Sequence, residues 1–304
     1  MTDAVTIDSV AVLVQRLAVL TGAGIPPLPA WRYLAQAQAQ VDRRVLHIVS
    51  DASSSHDLPE LIAAAARDGP PGDQSPWRAL AAVWAVATET GASLSPTLDR
   101  LADVLRALAQ SAREVEVALA GPAATSRVVL ALPVVGLLLG ALLGFDLVSA
   151  FASAPGMVCL LVGGILITIA VRWNRRLLRW ARAVDATPGL DFELLAVALA
   201  GGTSVDRASD IVSRACGLAG VEPPGAEVEG VLEFARNAGV PGVGLLRAES
   251  DERRLRARTE AAHRAVQLET RLLLPLGLCV LPAFVLVGVV PIALAILSST
   301  VGAI

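Results

Sequence analysis

The chain of 304 residues is 54% hydrophobic and only 17% charged, whereas a soluble domain carries about 45–50% apolar and about 25% charged residues; membrane insertion is the first expectation. A net charge of −3 excludes the basic balance of a nucleic-acid binder, so no nucleic acid is expected among the partners. All 25 basic residues are arginine, which excludes a Walker A loop and lysine-dependent catalysis and leaves any driving nucleotide hydrolysis to a partner.

From the N-terminus, Asp3 and Asp8 stand where a secretory signal would be basic. Val10, Leu13, Val14, Leu17 and Leu20 then form a helical stripe, and GAGIPPLP supplies a glycine stop and prolines for a new helix start. Asp51–Ser75 is rich in Ser, Asp, Pro and Gly and is expected to be loop. After the Glu89–Gly91 turn, Leu94, Leu98, Leu101, Leu105, Leu108, Ala112, Val115 and Leu119 make a heptad-like seam, interrupted at Gly121 and Pro122. This first helical module is expected over 1–127.

Three charge-free runs follow. They cover 128–145, 155–171 and 272–297, against about 20 residues for a membrane-crossing helix with about 17 to 25 as the range. The first two are expected to form a transmembrane hairpin across 128–171, because backbone polar groups cannot be left open in lipid. Arg172, Arg175, Arg176, Arg179 and Arg182 crowd behind the second run, and neither the hairpin connection nor the 298–304 tail contains an arginine. These arginines determine the expected topology: N-terminus and 172–271 cytoplasmic, C-terminal tail extracytoplasmic. Within 172–271, a second helical module, Glu249–Arg253 and Glu252–Arg256 sit four apart in the order that supports a helix. Pro133, Pro275, Pro282 and Pro291 are expected to bend the spans.

The two modules repeat short patterns in the same order. Leu17–Gly24 (LAVLTGAG) aligns with Leu195–Gly202 (LAVALAGG), and Glu89–Leu98 with Asn237–Leu246, as a duplicated module would. Gly91 and Gly239 read either as helix C-caps or as part of an exposed surface. Glu89, Gly91, Arg253 and Arg254 are the candidate partner-interface residues. No enzyme constellation stands out. Cys159, Cys216 and Cys279 lack metal or redox spacing, and Ser53–Ser55 beside His56 and Asp57 is adjacency in a polar loop, not a triad. No catalytic residue, metal or cofactor is expected.

The stretch Ala23–Ala35 (AGIPPLPAWRYLA), the turn at Glu89–Gly91 followed by Leu98 and Leu101, the repeat around a hairpin, and the last span LLLPLGLCVLPAF resemble the type II secretion system F family, with the Tad-type pilus assembly branch most similar. Asn237 replaces the first module's Glu89 in the second, a departure from the shared acidic position. The resemblance implies an all-α membrane protein with two related cytoplasmic helical-bundle modules and three transmembrane helices. It further implies a non-enzymatic platform of the bacterial inner membrane that couples a cytoplasmic secretion or pilus ATPase to pilin or pseudopilin assembly, acting as a homo-oligomer or with a paralogous platform partner. A permease-like subunit energised by a separate ATPase is the alternative.

Overall fold

The computed structural model describes residues 2–37, 43–70, 73–142, 154–182, 187–290 and 293. Among them every regular element is helical, and four helices are long and apolar enough to cross a membrane: Ala4–Gly22, Leu94–Gly136, Gly156–Ala181 and Gly242–Val289. The protein is an all-α membrane protein. Most of the hairpin connection expected after Asp146, the 298–304 tail and Pro291 lie outside the described residues.

The chain divides into two compact units, the first made of Met1–Arg113 and Asp185–Thr259, the second of Glu114–Val184 and Glu260–Ile304. The helices are α1 (Thr2–Gly22), α2 (Pro27–Ala37), α3 (Arg43–Asp51), α4 (Leu58–Arg67), α5 (Gln74–Thr90) and α6 (Leu94–Leu142). They continue with α7 (Ala154–Arg182), α8 (Leu190–Ala200), α9 (Val205–Ala219), α10 (Ala226–Ala238) and α11 (Gly242–Pro275). The chain then passes through a π-turn at Leu276–Val280, the short α12 (Leu281–Phe284) and a second π-turn at Val285–Val289.

In the first unit, α5 and α8 are apolar nearly all round and are buried accordingly. Trp77, Leu80, Val83, Trp84 and Val86 of α5, and Phe192, Leu194, Leu195 and Val197 of α8, share one core. Trp31 of α2 closes on Trp84, with ring centroids 5.8 Å apart in a tilted arrangement. Helix α1 is amphipathic. Val10, Leu13, Val14 and Leu17 enter the core, while on other positions Gln15 donates to Asp99 and accepts from Arg106, and Asp8 pairs with Arg113 at 3.6 Å.

Three local expectations change. The expected 51–75 loop contains α4, whose Leu58, Ile62, Ala63 and Ala66 are buried. Its Ala-rich interior favours helix; the serines and glycines that suggested a loop flank it, and Pro59 sits in its first turn, where a proline is tolerated. Asp57 accepts from the backbone N–H groups of Ser53 and Ser54 at 3.1 and 2.8 Å, so this cluster is the turn leading into α4. Helix α6 runs from Leu94 to Leu142 without stopping at Gly121 and Pro122, since a proline in a long helix removes one backbone bond and need not end it. Arg256 pairs with Glu252 at 2.9 Å as expected, but Arg253 turns to Glu227 and lies over the Phe192 ring at 4.6 Å. An aromatic face and an acid together outweigh a solvated i,i+4 partner.

In the second unit, α6, α7 and α11 build one small core from Val115, Leu119, Ala181, Ala261, Ala265, Leu268 and Leu272. Ala170, Cys279 and Val280 form another with Val129, Leu130, Trp173 and Leu276. Asn174 donates to Ser126 Oγ at 2.6 Å, and both residues are buried. Small residues allow close approach, as membrane helices require: a side chain at Gly163 would collide with Val287, and one at Gly136 would stand 3.2 Å from Phe284. The π-turns start directly after Pro275 and again shortly after Pro282; each proline lacks the N–H that an α-turn needs, and a wider turn absorbs the mismatch. Val134, Leu138, Met157, Leu161 and Ile165 project outward, all more than half exposed. Such a surface is expected of helices solvated by lipid.

Candidate functional site

The chemistry-bearing region of the first unit is built around one acid in an apolar helix. Glu193 stands in the sequence LDFELLAVALA of α8, and its side chain is only 6% exposed. A buried carboxylate must be paired to stay charged. Arg100 on α6 supplies the main partner, its Nε lying 2.8 Å from both carboxylate oxygens. Arg254 Nη2 stands 3.5 Å away and Arg247 Nε 3.8 Å away, both from α11. Asp251 completes the group by accepting from Arg100 at 3.1 Å and Arg254 at 2.7 Å. Three guanidiniums thus meet two carboxylates, leaving one positive charge.

The electrostatics follow from depth. Burial holds the Arg254 guanidinium below the ordinary arginine range, with Glu193 and Asp251 opposing the shift and Arg100 reinforcing it. Burial also pulls on Arg100, but its hydrogen bond and charge contact with Glu193 outweigh that pull and raise it. The cluster ties α6, α8 and α11 together. Beside it, Gly189 holds φ at +73°, and a Cβ there would sit 2.8 Å from the carbonyl oxygen of Ser250. Ser250 in turn donates its hydroxyl to the Gly189 carbonyl at 2.7 Å, so the start of α8 is pinned onto α11 at a position open only to glycine.

Next to this cluster lies an open cleft of about 740 Å³ lined by Arg78, Gly189, Asp191, Gly220, Glu227 and Arg253 among others. Arg78 is anchored there: Nη1 donates to the Gly220 carbonyl at 3.3 Å and Nη2 to Gln74 at 2.6 Å. Behind it, the Cys216 thiol is pushed up to about 11 by burial and then by the Asp191 carboxylate. At neutral pH it is a packed, protonated side chain and a poor nucleophile.

The four residues singled out as a partner interface have different surroundings. Arg253 borders the cleft. Arg254 is 12% exposed and engaged inward with Glu193 and Asp251. Glu89 pairs at 2.5 Å with Arg214 on α9, an exposed contact. Gly91 caps α5 with φ at +72°, and Gly239, its aligned counterpart, caps α10 with φ at +66°, the left-handed backbone of a C-cap. Gly24 and Gly202, the other aligned pair, hold φ at +84° and +83°. Arg172, Arg175, Arg176 and Arg179 lie exposed along the C-terminal part of α7, and Arg182 ends that helix. Sequence reading missed Arg100, Glu193, Arg247 and Asp251. Its available signal was a lone acid inside an apolar helix, which needs partners, although it does not name them.

Residues 13–142 match the family model for the type II secretion system (T2SS), protein F. No curated protein and no solved structure matches the chain.

Proposed function

Because the chain carries a protein F domain of the type II secretion system family over residues 13–142, we propose that it is a non-enzymatic platform protein of the bacterial inner membrane. In this reading it couples a cytoplasmic ATPase to the assembly or export of pilin or pseudopilin subunits, in a Tad-type pilus or type II secretion-like machine. The family match is the observation that carries the reading. It is supported by the absence of lysine, which removes the usual nucleotide-phosphate ligand from this chain, and by the large helical unit available to receive a partner.

The proposed organisation keeps 1–127 and 172–271 cytoplasmic, with spans at 128–145, 155–171 and 272–297 and an extracytoplasmic tail at 298–304. Helix α1 is apolar enough to be a fourth span, but its stripe is buried in the first unit's core and its polar positions bond to α6. That packing supports a place in the cytoplasmic unit. The positive-inside rule orients the rest through the arginines after the second span. The platform works as a homo-oligomer or with a paralogue.

The test is filament assembly combined with co-purification. Deleting the gene should abolish pilin assembly; normal filaments in the deletion strain overturn the platform reading. Charge reversal at Arg253 or Glu89 should reduce ATPase co-purification while leaving membrane insertion intact. The swap of Glu89→Arg with Arg214→Glu keeps the pair but reverses its polarity. Unchanged ATPase recovery in all these variants removes both residues from the interface.

A further inference from the structure

Helix α7 carries an apolar stripe that ends in a block of cations. Leu160, Leu161, Gly164, Ile165, Thr168, Ile169 and Arg172 line a groove of about 590 Å³ on its surface. Nothing stands within 4 Å of the position a Gly164 Cβ would take, so the floor of the groove is open. The Thr168 hydroxyl is already used, donating to the Gly164 carbonyl at 2.8 Å. The groove therefore offers an apolar wall until it reaches Arg172. The same helical stripe continues to Arg176 and Arg179, at four and seven residues beyond Arg172.

Arg172, Arg175, Arg176 and Arg179 are all exposed, and α7 contains no acid. None of the four has an acidic partner among the described residues. Four guanidiniums at the end of a lipid-facing helix, with no acidic partner among the described residues, call for anions from outside the chain. A second copy of α7 laid along this stripe would bring the same arginines and repel. The dimensions favour a lipid. Twelve residues from Leu160 to Arg172 rise about 18 Å, close to the depth of one leaflet, about half of a 30 Å hydrocarbon core.

We propose that this stripe is a binding site for one anionic phospholipid, with an acyl chain along Leu161, Ile165 and Ile169 over Gly164 and the phosphate held by Arg172 and Arg176. Arginine suits this task because its planar fork grips phosphate oxygens in pairs. The site lies in whichever leaflet meets the arginine end of α7, and it does not depend on which filament or substrate the protein serves.

The experiment uses the full chain, stripped of lipid in mild detergent, reconstituted in vesicles of one part phosphatidylglycerol to about four parts phosphatidylcholine, re-extracted and assayed for retained lipid. Phosphatidylglycerol should be enriched over its vesicle fraction, and an excess of soluble glycerol phosphate should not displace it. Arg172→Gln with Arg176→Gln should lower the retained phosphatidylglycerol-to-phosphatidylcholine ratio about tenfold or more, since each juxtamembrane arginine contributes about fivefold; Arg175, Arg179 and Arg182 remain to hold topology. Gly164→Leu, which fills the groove and keeps every arginine, should lower it at least about threefold. Equal retention of the two lipids by the unaltered chain overturns the proposal, as does full retention in either variant. A change in oligomeric state with lipid retention unaltered would assign the stripe to a helix partner and likewise overturn it.

Discussion

The two units solve the problem of buried polarity in different ways. The first unit encloses a charged group, Glu193, and balances it with Arg100, Arg247 and Arg254 while Asp251 restrains two of those arginines. Among the described residues the second encloses no charge, and a buried polar contact there is the neutral Ser126–Asn174 pair. Bulk differs as well. Trp31, Trp77, Trp84 and Phe192 are fully buried in the first core, whereas the buried residues of the second unit's cores are alanine, leucine, valine and a cysteine, with Trp173 and Trp180 only partly buried against them and glycines at Gly136 and Gly163. The lesson concerns solvent. Burying large apolar faces away from water is favourable, and a few charges can be held inside such a core if they are paired. Apolar helices in lipid gain nothing by hiding leucine, so close backbone approach, as at Gly136 and Gly163, is what holds that part of the second unit together.

The largest way to break this contrast is Glu193→Ala. It leaves Arg254 buried beside Arg100 without their shared carboxylate, and breaking a buried charge pair costs about 3–5 kcal/mol. Thermal unfolding of the detergent-solubilised chain, followed by tryptophan fluorescence, should fall by several degrees. A second effect concerns Cys216. With its thiol held at about 11 against an ordinary 9.0, native alkylation at pH 8 should be about a hundredfold slower than in the unfolded chain. The linkage has a defined sign: the folded state holds the proton more tightly, so the contribution is complete below about pH 9 and is lost as pH rises through about 11.

Smaller effects sharpen the comparison from the second unit. Ser126→Ala should destabilise by about 1–3 kcal/mol, because Asn174 is then left buried with no partner. Adding Asn174→Leu should recover most of that loss, bringing stability within about 1 kcal/mol of the unaltered protein, since replacing both members of a neutral pair is nearly neutral. Failure of the second change to recover stability would mean that this pair contributes specific packing as well. The smallest effect is expected for Glu89→Ala in the first unit. Its partner Arg214 is exposed, and pairs of that kind contribute less than about 1 kcal/mol, so any loss of ATPase binding by charge reversal there would act at the surface rather than through unfolding.

Much of this architecture was readable from residue order alone. The uncharged runs marked the apolar helices, the stripe from Val10 to Leu17 marked α1, and the glycines at 24, 91 and 239 marked helix stops or turns that all adopt positive φ. Helix α4 was hidden because its flanks, SSSHD and DGPPGD, carry stronger loop signals than LIAAAAR carries helical ones. The candidate site was less legible. Arg253 and Arg254 look equivalent on a charge-dense helix, but one borders a cleft over Phe192 and the other is nearly enclosed beside Glu193.

What the sequence determined by itself is local. Composition, run length and periodicity set most of the helical segments, which of them are apolar enough for lipid and several of the helix ends, because each depends on neighbours within a few turns. The tertiary structure decided which charges neutralise one another. Arg100 finds Glu193 at a separation of 93 positions and Asp251 at one of 151, and no periodicity connects such distances. Only the packing of α6, α8 and α11 brings these groups together, in a place where an unpaired charge would be too costly to keep.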